Sequence, residues 1–261
     1  MAHKTIEARN IRVSYREGTI EREHIFENHC HSRYEMITVF EGSTDIVVDG
    51  RKYTLGRAET VIIAPLVYHS VFVKGEVTYK RATVLFEERE IPDEVLLDFK
   101  SKLSARPVLI IAEDNARMEL YSWMFGDAFS DKLIPLIKGV LIESVYTAAY
   151  RVKMETGPSV DPTVKAITKY IDAHINEKIL LDGIAEELFI SKSTVSHVFR
   201  EVMKISPKQY IIQRKLAYAA SLISAGTPAS SAAREIGYEN YAAFYKIYKK
   251  VFGESPRIKK H

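Results

Sequence analysis

A single cysteine, Cys30, stands among 261 residues, so no intramolecular disulfide framework holds this chain together. Long apolar runs are scarce: stretches such as residues 61–65 and 108–112 are far too short to span a bilayer, and no membrane partner is expected. Residues 1–10 carry charges and no apolar stretch, so no secretory signal is expected and the cytoplasm is the expected compartment. Low-complexity tracts are missing. The one tryptophan, Trp123, falls in a helical stretch and reads as packing. What remains is ordinary globular composition, 46% hydrophobic and 27% charged, in a chain long enough for two domains with separate cores.

Charge of one sign is scarce until the chain is divided. The net charge is only +3, yet residues 162–261 hold 16 Lys/Arg against 9 Asp/Glu, while residues 1–161 hold 21 against 25. A basic C-terminal part points either to a polyanion partner for that part alone or to an unevenly charged solvated surface.

Three regions follow from periodicity. Residues 11–86 read as short strands, with a hairpin turn at Asp49-Gly50 and a stop at Pro65, and argue for a small antiparallel barrel or sandwich. Residues 93–154 shift to helical spacing, with Leu133, Ile137, Val140, Leu141, Val145 and Ala148 forming a stripe suited to core packing and to dimerisation. Two prolines and a glycine in residues 156–162 mark a linker. Four segments are therefore expected: residues 1–92, 93–155, 156–162 and 163–261.

Residues 163–261 read as all-α with a weak two-fold repetition. In the first unit Asp182 caps a short helix, Phe189-Ile190 turns, and Ser191 caps a second helix over residues 192–203. Burial of Val195, Val198, Phe199 and Val202 leaves Ser193, Thr194, Ser196, His197 and Arg200 exposed. Ser206-Pro207 then opens a long helix, and Thr227-Pro228 repeats that opening signal. In the second unit Gly237 ends a short helix, and residues 241–252 bury Phe244, Ile247, Tyr248 and Val251. Tyr241, Ala242, Tyr245, Lys246 and Lys249 are left outward. Two helix-turn-helix units on one stiff spacer suit successive major-groove segments of duplex DNA, cations on phosphates and short polar side chains on bases.

At these residues the chain resembles the AraC/XylS family. Ile236-Gly237-Tyr238, Phe244, Tyr248-Lys249, Phe252-Gly253 and Ser255-Pro256 carry the likeness in the second unit. In the first unit it rests on Leu181, Ala185, Ser191, Phe199, Ser206, Arg214, Leu216 and Ala219. The likeness spans residues 163–259. It implies base reading by Ser193, Ser196 and His197 and by Tyr241, Ala242, Tyr245 and Lys246. Lys204 departs from the family's usual glycine, and Ala232 and Ala233 from bulkier residues.

In the N-terminal part His29, His31 and Glu35 share strand parity, so an unbroken strand would project them from one face. With Gly42, Pro65 and His69 they resemble the two motifs of the cupin family, although the glycine usual between that proline and histidine is absent. The resemblance implies that His29, His31, Glu35 and His69 hold a divalent transition metal such as zinc, iron, manganese or nickel. The alternative is metal-free histidines lining a ligand pocket or bonded to one another. Arg33, Tyr34, Arg51, Tyr53, Tyr68 and Tyr79 are candidates for a small-effector pocket; Cys30 is expected in the core.

The expected fold is multidomain β plus all-α: an N-terminal cupin-like β-barrel with flanking helices, then a C-terminal all-α double helix-turn-helix domain. The expected function is sequence-specific transcriptional regulation by a homodimer, not an enzyme, with double-stranded DNA and a small effector as partners. RNA polymerase is a further candidate partner. A metal-dependent cupin enzyme with a DNA-binding tail, or an architectural DNA-binding protein, are the competing classes.

Overall fold

A computed structural model describes residues 2–21, 24–48, 51–73, 75, 77–112, 115–126, 128–152 and 161–257. The Asp49-Gly50 turn and most of the expected linker lie outside the described residues.

The N-terminal part is built from two antiparallel sheets. One runs β1(Ala2–Glu7), β2(Ile11–Ile20), β9(Val77–Phe86), β4(Tyr34–Glu41), β7(Thr60–Ile63) and β10(Val108–Ile111) in spatial order. The other runs β3(His24–His29), β8(His69–Val73), β5(Thr44–Val48) and β6(Arg51–Leu55). Alternation along each strand sends side chains to opposite faces, and three layers of contact result. Ile37, Val39, Val61 and Ile63 of the larger sheet meet Ile46, Val48, Val71 and Val73 of the smaller one inside the barrel. The opposite face of the larger sheet (Val13, Met36, Ile62, Val84) packs beneath α1(Asp93–Ala105), α2(Asn115–Phe125) and α3(Ile134–Tyr150). The outer face of the smaller sheet, through Val47 and Phe72, shares a core with the C-terminal helices.

Two sequence expectations fail here. Residues 93–154 are not helical throughout. Val108–Ile111, β-branched at three of four positions, pairs with Val61 and its neighbours at the open edge of β7, where strand pairing outweighs helical spacing. Nor is every apolar stretch short. Asp131–Tyr150, with a mean hydropathy of 1.3, is long and apolar enough to cross a membrane; one face of it is buried against the larger sheet through Ile137, Leu141, Val145 and Ala148.

The C-terminal part comprises α4(Pro162–Ala173), α5(Leu181–Glu187), α6(Lys192–Met203), α7(Pro207–Ser224), α8(Ala229–Glu235) and α9(Tyr241–Phe252). Asp161 caps α4 by accepting from the amides of Thr163 and Val164. Ser206 and Gln209 form a reciprocal capping box at α7. Two expected caps differ. Asp182 lies inside the first turn of α5, where it pairs with Lys192 at 2.9 Å. Pro228 is itself the N-cap of α8, because Thr227 falls one residue too early. Lys204, in the family's glycine position, takes a left-handed conformation with φ of 60°.

Candidate nucleic-acid interface and histidine cluster

Ser191 holds the start of α6 by accepting from the Thr194 amide at 3.0 Å, and Asn240 holds α9 by accepting from Ala242 and Ala243. Each cap straightens the first turn that a base-reading helix must present. Each helix is twelve residues long and buries one stripe: Val195, Phe199 and Met203 in α6, Phe244 and Tyr248 in α9. The complementary stripes are open. Ser193, Thr194, His197 and Arg200 are exposed and Ser196 is half-buried; Ala242, Lys246 and Lys249 are exposed, as are Tyr241 at 41% and Tyr245 at 37%. The Thr194 hydroxyl is engaged with Ser191 at 2.8 Å, and His197 lies 3.7 Å from Glu201. Phe189, in the turn between α5 and α6, also takes a left-handed φ of 53° and leaves its ring 96% exposed.

Lys215, which the sequence pattern did not single out, ties the two units to their spacer. Its stem is buried in α7, and its Nζ donates to the carbonyls of Glu177 at 2.5 Å and Ile236 at 2.8 Å. One carbonyl belongs to the loop before α5 and the other to the end of α8. A lysine on a helix pattern ordinarily reads as a solvated position; only the packing reveals this one.

In the barrel His29, His31, Glu35 and His69 come together, with one ligand atom from each within 4.8 Å of all the others. They do not share one strand. β3 ends at His29 and β4 begins at Tyr34, so the chain crosses from one sheet to the other between them. The parity argument grouped residues that the structure does bring together, but through a strand that is broken. His69 stands opposite His29 in the β3–β8 ladder, which supplies the fourth member.

The proton positions define what the cluster can do. His31 Nδ1 donates to the Arg33 carbonyl at 2.9 Å and His69 Nδ1 to the Val67 carbonyl at 3.0 Å; a carbonyl only accepts, so each Nδ1 carries its proton. Each Nε2 stands 2.8 Å from the same Glu35 Oε2, a hydrogen bond to it when that nitrogen carries a proton and a lone pair open to a metal when it does not. His29 Nε2 stands 3.9 Å from that oxygen. Its basicity is pushed down to about 3, by burial first and then by His69, so its lone pair is free at neutral pH. Burial would raise the Glu35 carboxyl, but the charge on His69 and the hydrogen bonds from His31 and His69 hold it well below the usual carboxylate range. Its second oxygen, Oε1, is buried without a hydrogen-bond partner. Three imidazole lone pairs and a carboxylate, two of the rings oriented by backbone carbonyls, form a donor set that fits a divalent transition metal.

The expected effector residues do not gather beside this cluster. Tyr68 is buried against Tyr210 of α7, Tyr53 lies in the barrel core, and Arg33 sits 3.8 Å from Glu7 and 3.9 Å from Glu87. A cavity of about 340 Å³ does adjoin His29 and Glu35, but it is walled by His3, Thr5, Arg12, Ser14, Arg16 and Thr83. The sequence reading missed these because they come from three strands, β1, β2 and β9, and only the pairing register brings them together.

The family model described as an AraC-like ligand binding domain matches residues 14–126, and one described as a helix-turn-helix domain matches residues 184–258. Between them they span well over half of the chain. The chain belongs to the AraC family. Within the AraC family it is similar to the arabinose operon regulatory protein of Salmonella typhimurium, 26% identical over 151 residues, which are 55% of this chain and 54% of that one. It is also similar to the probable transcriptional regulator LumQ of Photobacterium leiognathi, 29% identical over 91 residues, 34% of this chain and 37% of the relative. The chain thus spans about a third to a half of the length of these curated relatives. Among solved structures, ToxT of Vibrio cholerae aligns over 95% of both chains at 13% identity with a TM-score of 0.41.

Proposed function

We propose that this AraC-family chain is a sequence-specific DNA-binding transcriptional regulator whose barrel senses a small effector. The observation that carries it is the pair of capped, outward-facing helices α6 and α9, pinned through Lys215 to one eighteen-residue spacer. At 1.5 Å per residue that spacer is about 27 Å long, close to one duplex turn. The relatives named as regulators support the same reading. Residues 163–261 form the DNA-binding domain in this reading, residues 1–92 the sensor, and residues 93–155 the segment for self-association. Leu97, 81% exposed on α1, and Tyr150 on α3 favour a homodimer. RNA polymerase is a further partner, and the cytoplasm the compartment, that such a regulator requires.

In this reading the histidine cluster holds one divalent transition metal through His29, His31, Glu35 and His69. The metal would supply Lewis acidity toward an effector oxygen, and the chain would supply its orientation. Repeated selection of bound duplexes from a random pool by the purified chain tests the regulator reading. A single enriched motif is expected, and binding that stays indifferent to sequence would overturn it.

A further inference from the structure

The turn between α5 and α6 carries the most exposed large apolar side chain of the described residues: the Phe189 ring is 96% exposed, against 81% for Leu97. Its backbone is unusual as well. Phe189 takes a left-handed φ of 53°, which a bulky side chain rarely adopts. The second unit repeats the same turn. There the Gly237 amide donates to the Arg234 carbonyl and the Tyr238 amide to the Ala233 carbonyl; in the first unit Phe189 donates to Glu186 and Ile190 to Ala185. Gly237, with a φ of 82°, holds the equivalent place, and glycine makes this turn without strain. A scattered surface phenylalanine needs no explanation. One held in glycine's position, at a backbone cost and with no burial in return, points to an interaction outside the chain.

The surroundings set the chemistry of that interaction. α5 carries Asp182, Glu186 and Glu187 and no cation, within a part of the chain that is otherwise basic. A groove of about 390 Å³ runs beside the ring between Asp182, Ala185, Glu186, Ile190 and Lys192. Lys192 is held by Asp182 at 2.9 Å, while Glu186 and Glu187 are exposed and form no ion pair among the described residues. Such a surface repels phosphates, which argues against DNA as the occupant. A small ligand needs enclosing walls, and a ring so exposed encloses nothing. A guanidinium fits: its plane stacks on Phe189 while its N–H groups reach the Glu186 carboxylate. Aromatic and arginine side chains are the usual anchors of protein interfaces. A protein that meets this turn while α6 lies in the major groove sits on the same duplex, as RNA polymerase does.

We propose that Phe189 and Glu186 form a docking patch for RNA polymerase, received by an arginine-bearing surface of that enzyme. This rests on the regulator reading and names where its polymerase partner binds.

The test uses the full chain, a purified bacterial RNA polymerase holoenzyme, and duplexes carrying the selected motif upstream of a promoter. The motif is stepped one base pair at a time through a helical turn of about 10 bp. At one spacing or more, polymerase tightens the chain's hold on its site by roughly five- to 150-fold, the usual span of such linkage. Phe189→Gly abolishes that gain, Glu186→Gln reduces it, and Phe189→Tyr keeps it. All three bind the duplex alone as the wild type does, because the ring is not buried and glycine suits the turn. A wild type indifferent to polymerase at every spacing overturns the proposal, and so does a Phe189→Gly chain that keeps the full gain. So does weaker binding of Phe189→Gly to the duplex alone, which would make the ring a DNA contact. Loss of self-association in that variant overturns it too, by making the ring a contact between copies. Failure of the regulator reading is distinguishable: there site selection enriches no motif, whereas a chain that enriches one without a polymerase gain loses this inference alone.

Discussion

Tyr68 of the barrel and Tyr210 of α7 meet edge to face, their ring centroids 5.8 Å apart and their planes at 80°. Tyr68 directly precedes His69. Cys30, between His29 and His31, is buried in the same shared core, and Ser32, after His31, donates to Glu254 at 2.7 Å. The residues that turn inward to the cluster therefore alternate with residues that touch the DNA-binding domain. Any shift of His29, His31 or His69 moves an interdomain contact one residue away.

That alternation predicts coupling between barrel and helices. A two-state coupling of about 1–3 kcal/mol is typical of such linkage, so operator affinity should change by roughly five- to 150-fold when the protein is stripped with a chelator. Tyr68→Leu removes the ring pair, worth about 1 kcal/mol, and should shrink that ratio toward one. An undiminished ratio in the variant would show that the tyrosine pair carries no coupling.

Metal content gives a second test. Elemental analysis of the purified protein should find close to one equivalent of a divalent transition metal. Glu35→Gln and His69→Ala should each lower zinc affinity by well over tenfold. At free zinc one hundred times the dissociation constant, the wild type should gain about 2.7 kcal/mol of stability, read as a rise in melting temperature. Wild-type protein that melts at the same temperature with and without zinc contradicts this.

On the DNA side Lys246→Ala should weaken binding to all duplexes alike and reduce the salt slope by about one. His197→Ala, by contrast, should relax preference at one base position, costing about 1–3 kcal/mol there. Salt titrations with the selected site and a scrambled duplex distinguish the two outcomes, and swapped behaviour would reassign the residues.

Lys215→Met keeps most of the buried stem but leaves the Glu177 and Ile236 carbonyls without their shared donor. Each unsatisfied buried group costs about 1–3 kcal/mol, so chemical denaturation should show a loss in that range or above. Operator affinity should fall as well, because the two units lose their common anchor. Full affinity in a destabilised variant would mean that the anchor serves stability alone.

Lys204→Gly relieves the left-handed backbone at the end of α6. A side chain in that conformation costs about 1 kcal/mol, so the variant should melt a few degrees higher, roughly 2–4 °C. An unchanged or lower melting temperature would mean that the extra backbone freedom glycine gives the unfolded chain outweighs the relief, and would overturn the prediction.

The amino-acid order alone determined the local devices: the Ser191 and Ser206 caps, the left-handed glycine at Gly237, and the apolar stripes that set which faces of α6 and α9 look outward. Those depend on side chains within four residues of one another, so the chain encodes them wherever it folds. The meeting of His29 and Glu35 across two sheets and the recruitment of Val108–Ile111 to the edge of β7 were decided only by the assembled tertiary structure. So was the double grip of Lys215. Each of these joins groups from separate elements, and which groups meet depends on strand register and layer packing, which no local pattern of residues specifies.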